Sequence, residues 1–191
     1  MDREREKLLI AKAKKNIEAF EELYDWYLPR IYGYILNRVA HRQEAEDLTS
    51  QTFAKVLANL PRYEERGISF GAWVYRIATN VIIDRVRKKK ELLMDPEIIR
   101  ECIAAERVSS PEEDFWTRQK AENMQLCLRR LKTDYQNVLA LKFFEELDNK
   151  EIAAILDCRP GAVAVKVHRA LKALKKEVEG TVSLNNNYVE S

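Results

Sequence analysis

Glycine and proline are scarce, five of each in 191 residues, and nowhere do 18 apolar residues run together. The first shortage favours a helical soluble protein. The second excludes a membrane-spanning helix. The N-terminal residues MDREREKLLIAKAKK lack the apolar core of a signal peptide, so a cytoplasmic protein is expected. The three cysteines, Cys102, Cys127 and Cys158, are odd in number, and no two stand at metal-ligand spacing. With only His41 and His168 to help, a zinc site is not expected, and reduced thiols are. No glycine-rich phosphate cradle occurs, and no pair of carboxylates sits in apolar surroundings with a partner base. No catalytic residue, metal or cofactor is therefore assigned.

What is present is apolar and charged residue in quantity, 46% and 34%, which argues against wholesale disorder. The net charge of +2 hides strong segregation. Asp84 to Lys90 holds five bases against one acid, Glu91 to Asp114 eight acids against two bases, and Arg159 to Lys176 six bases and no acid. Two basic patches flanking an acidic middle point to nucleic acid, because local charge density sets counterion release.

The chain is organised around SFGAWVYRIATNVIIDRVRKKK, Ser69 to Lys90. Phe70, Trp73, Val74, Ile77, Ala78, Val81, Ile82 and Val86 recur at three and four, which predicts one buried helical stripe. Arg76, Thr79, Asn80 and Arg87 fall on the opposite face, and Arg85 to Lys90 form a cationic end. Ser69 is the expected N-cap, and the loop from Pro61 to Ile68 brings Tyr63 and Arg66 beside the first turn. Aromatics next to a basic helical face suit unstacked bases and phosphates together. The same pattern is also what a solvated amphipathic helix with a dipole-matched end produces.

Before this stretch, residues 1 to 15 lead into a first helix. Phe20, Leu23, Tyr24 and Tyr27 predict a helix ending near Pro29, and Ile31, Ile35, Leu36 and Val39 a second beginning there. A third is expected from Arg42 to Leu60, burying Ala45, Leu48, Thr52, Phe53, Val56, Leu57 and Leu60 and exposing Glu44, Asp47, Gln51 and Lys55. After it come a linker over 91–117 and a second domain over 118–179. In that domain one helix turns Ala121, Met124, Leu128 and Leu131 inward, and another, Asp134 to Phe144, buries Val138, Leu139, Leu141 and Phe143. Asp148 with Glu151 makes a capping pair for a short helix carrying Ile152, Ala153, Ile155 and Leu156. Asp157 to Arg159 make the turn, and Pro160 opens a long basic helix that buries Val163, Val167, Ala170, Leu171 and Leu174. Short helix, tight turn, long basic helix is the helix-turn-helix arrangement of DNA-binding proteins. The fold class expected is all-α, with two small helical domains, 1–90 and 118–179, and a tail over 180–191.

With both domains placed, the chain resembles an extracytoplasmic-function (ECF) sigma factor, a bacterial RNA polymerase initiation subunit. The matching segments are AFEELYDWYLPRIYGYI (Ala19 to Ile35), AEDLTSQTFAKVLANL (Ala45 to Leu60), SFGAWVYRIATNVIIDRVR (Ser69 to Arg87) and LDNKEIAAILDCRPGAVAVKVHRALKAL (Leu147 to Leu174). The run Phe70 to Asn80 is the most specific. The resemblance implies that the first domain opens and reads the minus-ten promoter element, that the second reads the minus-thirty-five element, and that both dock on core polymerase. By position, Glu44, Asp47 and Gln51 fall on the polymerase-facing surface, and Tyr63, Arg66, Trp73, Arg76, Asn80, Arg87 and Lys88 on the single-strand surface. Arg159, Gly161, Ala162, Val165, Lys166 and Arg169 fall on the duplex surface. Tyr63 also reads as a core or lid tyrosine, and Trp73 as a core residue as well as a wedge. An anti-sigma factor is a further implied partner. The chain departs from the family at Ser50 and Gln51 and, in the recognition helix, at Arg159, Ala164 and Val165, which leaves the minus-thirty-five sequence open. A helix-turn-helix regulator that never joins polymerase is the alternative reading.

Overall fold

The structure, a computed structural model, describes residues 1–65, 68–92 and 115–186, with side chains described to 89 in the second stretch and over 123–180 in the third. Among them are helices and turns but no strand, in two compact units, Met1–Arg100 and Glu101–Ser191. The fold is all-α, with two helical domains. Most of the expected linker lies outside the described residues.

The first unit is built on α1 (Arg3–Ala13), α2 (Phe20–Val39), α3 (Arg42–Asn59) and α4 (Phe70–Leu92). The charged N-terminal segment, expected only to lead into a helix, is itself α1, and it buries Leu9, Ile10 and Ala13. The sequence predicts two helices meeting at Pro29, but α2 runs straight through it. Proline inside a helix costs about 3 kcal/mol through its missing donor and ring clash. The cost is offset because Leu23 and Tyr27 before it and Ile31, Tyr34 and Ile35 after it share one buried face, which a break would tear apart. In addition, the Arg30 guanidinium donates to the Trp26 carbonyl at 2.7 Å and stacks on the Trp26 ring at 4.3 Å. α2 stops where Ala40 takes a left-handed conformation, φ 50°, its N–H bonding the Leu36 carbonyl at 2.7 Å.

α3 presents its expected face inward, with Ala45, Leu48, Thr52, Phe53, Val56 and the following Leu60 buried. Its N-cap is His41, whose Nδ1 accepts the Glu44 N–H at 3.2 Å. Ser69 caps α4 as expected, accepting the Ala72 N–H at 3.2 Å.

In the second unit, α5 (Phe115–Arg130), α6 (Thr133–Leu139), α7 (Asn149–Ile155) and α8 (Pro160–Asn186) surround one core. α8 runs on to Asn186, into the segment expected as a tail. Among the described side chains of α5, Cys127 and not Met124 is buried, with Leu131 one turn on; the expected Ala121 lies outside them. A π-helical turn, Ala140–Phe144, comes after α6, closed by the Glu145 N–H on the Ala140 carbonyl at 3.2 Å. The wider turn shifts the helical phase of its own last residues, so Phe143, expected inside, is 54% exposed, while Val138, Leu139 and Leu141 stay buried.

α7 starts on the expected capping box. Asp148 Oδ1 accepts the N–H groups of Lys150 (2.7 Å) and Glu151 (2.8 Å), and the Glu151 carboxylate accepts the Asp148 N–H. Asp148→Ala should lower the stability of this unit by about 1 kcal/mol, read as a fall in its denaturant midpoint with unchanged slope. α7 ends with Asp157 left-handed at φ 49° and the Cys158 N–H reaching back to the Ala153 carbonyl at 2.9 Å, which turns the chain so that Pro160 opens α8.

Candidate nucleic-acid interface

Rings from α2, the loop before α4 and α4 itself form one cluster around α4's first turns. Phe70 lies 5.6 Å from Tyr27, 5.3 Å from Tyr63 and 5.4 Å from Trp73, and Tyr63 lies 4.8 Å from Trp73. Gly71 makes room for it, since a Cβ there would stand 3.0 Å from the Tyr27 hydroxyl. Tyr63, one of the two loop residues expected on the single-strand surface, is only 7% exposed, and its hydroxyl donates to the Ile68 carbonyl at 3.3 Å. Its ring is engaged by Phe70 and Trp73, so here Tyr63 is a core tyrosine. Trp73 is half-buried, with one side in the cluster. Arg66 and Gly67 lie outside the described residues.

Burial shifts both tyrosines in the same direction. It pushes the Tyr63 hydroxyl up to about 12, with Glu65 and Glu6 adding to the effect, and it raises Tyr27 further, helped by its hydrogen bond to the Glu6 carboxylate. Unfolded, each would ionise near its ordinary value of about 10. Above that pH the unfolded chain loses protons that the folded chain keeps, so stability is intact below about pH 10 and falls as pH rises toward 12 and beyond. A urea midpoint for this unit that drops between pH 9 and 11, with the drop reduced in Tyr27→Phe, is the expected result.

The rest of α4 separates into two sides. Val74, Ala78, Val81 and Ile82 are fully buried, and Asn80, Arg87, Lys88 and Lys89 are exposed. Arg76 is half-buried and engaged. Thr79, expected outward, is buried, donating to the Tyr75 carbonyl at 2.8 Å and meeting the Tyr34 hydroxyl at 2.9 Å. The reason is packing of polar on polar: the buried Tyr34 hydroxyl needs a partner, and threonine supplies one with a methyl to fill the space. Val86, expected on the stripe, is exposed. Glu44 in α3's first turn reaches Arg85, so Val86 lies level with the start of α3.

That Arg85 Nε to Glu44 Oε1 contact, 2.6 Å long, engages one residue of the expected polymerase face. The Glu44 side chain is only 20% exposed and is spent on the partner helix, leaving Asp47 and Gln51 outward. Between the two helices runs a groove of about 800 Å³, with Asp47, Gln51 and Lys55 on one wall, Asp84, Arg87 and Lys88 on the other, and Leu48 and Val81 among its lining. Arg87 is balanced by Asp84 at 3.3 Å, whereas Lys88 adds its charge to the same wall. Each wall carries both signs of charge, Asp47 and Lys55 on one and Asp84, Arg87 and Lys88 on the other.

In the second unit, α8 buries Val163 and Ala170 and half-buries Val167 and Leu174. Leu171, expected inside, is exposed, because Ala170 takes the inward position beside it. Arg159, Gly161, Val165 and Arg169 are exposed, and Ala162 and Lys166 half-exposed. All six expected duplex-facing residues are thus at least half-exposed, Arg159 in the turn and the other five on the accessible side of the helix that follows it. Gly161 has open space where a Cβ would be, so nothing within this unit demands a glycine there. His168 is exposed. Among the described residues there is no cluster of metal-ligating side chains and no helix long and apolar enough to cross a membrane.

Comparison with known proteins matches both units. Residues 23–91 fit the family model of sigma-70 region 2, and residues 121–174 that of sigma-70 region 4. The chain is 31% identical over 173 residues to the ECF RNA polymerase sigma factor SigW of Bacillus subtilis, covering 86% of this chain and 91% of that one. It is also 31% identical to the RNA polymerase sigma factor YlaC of the same organism, over 86% of this chain and 94% of that one. In fold it is similar to the sigma factor RpoE of Bartonella quintana, solved with the anti-sigma factor NepR, with TM-score 0.66 and 20% identity over 84% of this chain and 96% of the other.

Proposed function

Because the chain belongs to the ECF family of RNA polymerase sigma factors, we propose that α4 holds the parted minus-ten strand and α8 reads the minus-thirty-five duplex while α3 docks on core polymerase. The observation that carries this is the two-sidedness of α4. One face is closed over the bundle core, and the other offers Asn80, Arg87 and Lys88 to solvent, with a half-open Trp73 nearer the start of the helix. Bases attract phosphates without regard to sequence, whereas Asn80 has a donor and an acceptor for a base edge. Trp73 supplies the apolar surface on which a duplex end is parted or a base stacked. Flipping one base costs a few kcal/mol, and stacking plus edge hydrogen bonds offset a cost of that size. The protein acts by binding, with no chemical step of its own, in the cytoplasm where polymerase and DNA are. Asp47 and Gln51 are the polymerase contacts. An anti-sigma factor is a fitting additional partner, since a protein of the same fold has been solved with one.

On α8, Val165 and Ala162 meet thymine methyl groups, and Arg159, Lys166 and Arg169 guanine edges or phosphates. Val165 is 49% exposed, so Val165→Ser should leave the fold intact. Preference for thymine at one minus-thirty-five position should weaken about fivefold. An unchanged base-preference profile removes the assignment. The reading as a whole is tested by transcription in vitro from a pool of promoter fragments with core polymerase, with and without this protein. Selective initiation that depends on the protein supports it. Equal output in both, with the protein bound to DNA alone, refutes it.

A further inference from the structure

The region 2 match begins at residue 23, leaving α1 outside it. Yet α1 is tied by its polar side chains to the aromatic cluster under the minus-ten surface. The Lys14 ammonium donates to the Tyr63 carbonyl and lies 5.9 Å from the centre of that ring. The Arg3 guanidinium donates to Glu65 Oε1 at 2.9 Å, two residues on, and holds that carboxyl below its usual value. Glu6 accepts the hydroxyl proton of Tyr27, whose ring meets Phe70 edge-on. Tyr63 then passes this placement to Trp73, 4.8 Å away. The apolar packing of α1 on the bundle is supplied separately, by Leu9, Ile10 and Ala13. An exposed ion pair such as Arg3 with Glu65 adds little to stability. What such contacts do is fix position.

We propose that Arg3 and Lys14 are positioning residues for promoter recognition: by holding the Tyr63–Glu65 segment they fix Trp73 against the parted strand, and so set how sharply minus-ten sequences are distinguished. This rests on the assignment of α4 to the minus-ten strand. No atom of α1 has to touch the DNA for this to work. A duplex end is parted, or an extruded base kept, only where the ring that meets it is held in place, and Tyr63 reaches Trp73 by direct ring contact.

The test uses holoenzyme and a promoter fragment selected from a random pool by the parent protein, alongside the same fragment with its minus-ten or its minus-thirty-five element scrambled. Lys14→Met keeps the aliphatic stem and loses the donor. It should lower the preference for the intact minus-ten element roughly tenfold, the scale of one charged hydrogen bond. Preference for the intact minus-thirty-five element and affinity for core polymerase should not move, and any fall in thermal midpoint should stay within the cost of one hydrogen bond. Lys14→Arg should restore the preference. Arg3→Glu should lower it and the double exchange Arg3→Glu with Glu65→Arg should regain it. An undiminished minus-ten preference in Lys14→Met overturns the proposal. So does a parallel loss at both elements together with a lower thermal midpoint, which marks a merely structural helix. If the parent itself ignores the minus-ten scramble, the assignment of α4 fails and the inference goes with it, a result told apart from the others because it appears without any substitution.

Discussion

Replacing Phe70 by alanine should destabilise the N-terminal unit by about 3–5 kcal/mol, a large part of the roughly 5–15 kcal/mol that holds a domain folded. Phe70 is 2% exposed and sits among three rings, Tyr27, Tyr63 and Trp73, each within 5.6 Å of its centroid. These neighbours cannot close the gap, since Tyr27 is held by Glu6 and Tyr63 by Lys14 and Ile68. Removal of the ring therefore loses both transfer energy and packing around a residual cavity. Phe70→Leu should cost under about 1.5 kcal/mol, because most of the volume remains. Tryptophan emission during urea unfolding measures both, with Trp73 as the near reporter. An alanine variant within about 1 kcal/mol of the parent would mean that the cluster does not organise this unit.

The double charge reversal Lys166→Glu with Arg169→Glu should weaken holoenzyme binding to a minus-thirty-five duplex by at least about fifty-fold near 0.1 M salt. It should also reduce the slope of log affinity against log salt by about two units. Each phosphate neutralised releases close to one counterion, and both side chains lie on the open side of α8. Neither is buried, so the thermal midpoint should hold. Arg169→Lys should retain the slope and lose only what a planar guanidinium reads on a guanine edge. An unchanged salt slope would place these two residues away from the duplex.

Signals carried by local chemistry were legible in the sequence. A capping aspartate with its glutamate three residues later, a proline at a helix start and a serine before an apolar run each act through a hydrogen bond or a fixed φ that few residues provide. Asp148, Pro160 and Ser69 accordingly stand where expected. Periodicity placed most of the α3 and α4 cores for the same reason, that helical geometry alone decides which side chains share a face. The expectations that did not hold depended on a second element. Pro29 marks a helix end by propensity, and only packing on both sides of it keeps α2 whole. Thr79 looks like a surface residue until Tyr34 arrives from α2 with a hydroxyl to satisfy. Phe143 has the spacing of a core residue, but the π turn that moves it has no signature in the sequence. Glu44 and Arg85 are 41 residues apart, and neither alone shows that the other will neutralise it. For the candidate interface, residue type and helical face singled out Asn80, Arg87 and the residues around the start of α8, whose exposure the structure adds, while the ties from α1 to Tyr63 and Glu65 needed the structure.

The most direct measurement is permanganate reactivity of thymines, together with nuclease protection, on a selected promoter bound by holoenzyme carrying the parent protein or Asn80→Ala with Arg87→Ala. With the parent, thymines near minus ten should become reactive while the minus-thirty-five duplex is protected. In the double variant, reactivity near minus ten should be lost and protection at minus thirty-five retained. Thymines that open equally well in both proteins would mean that the exposed side of α4 does not hold the separated strand.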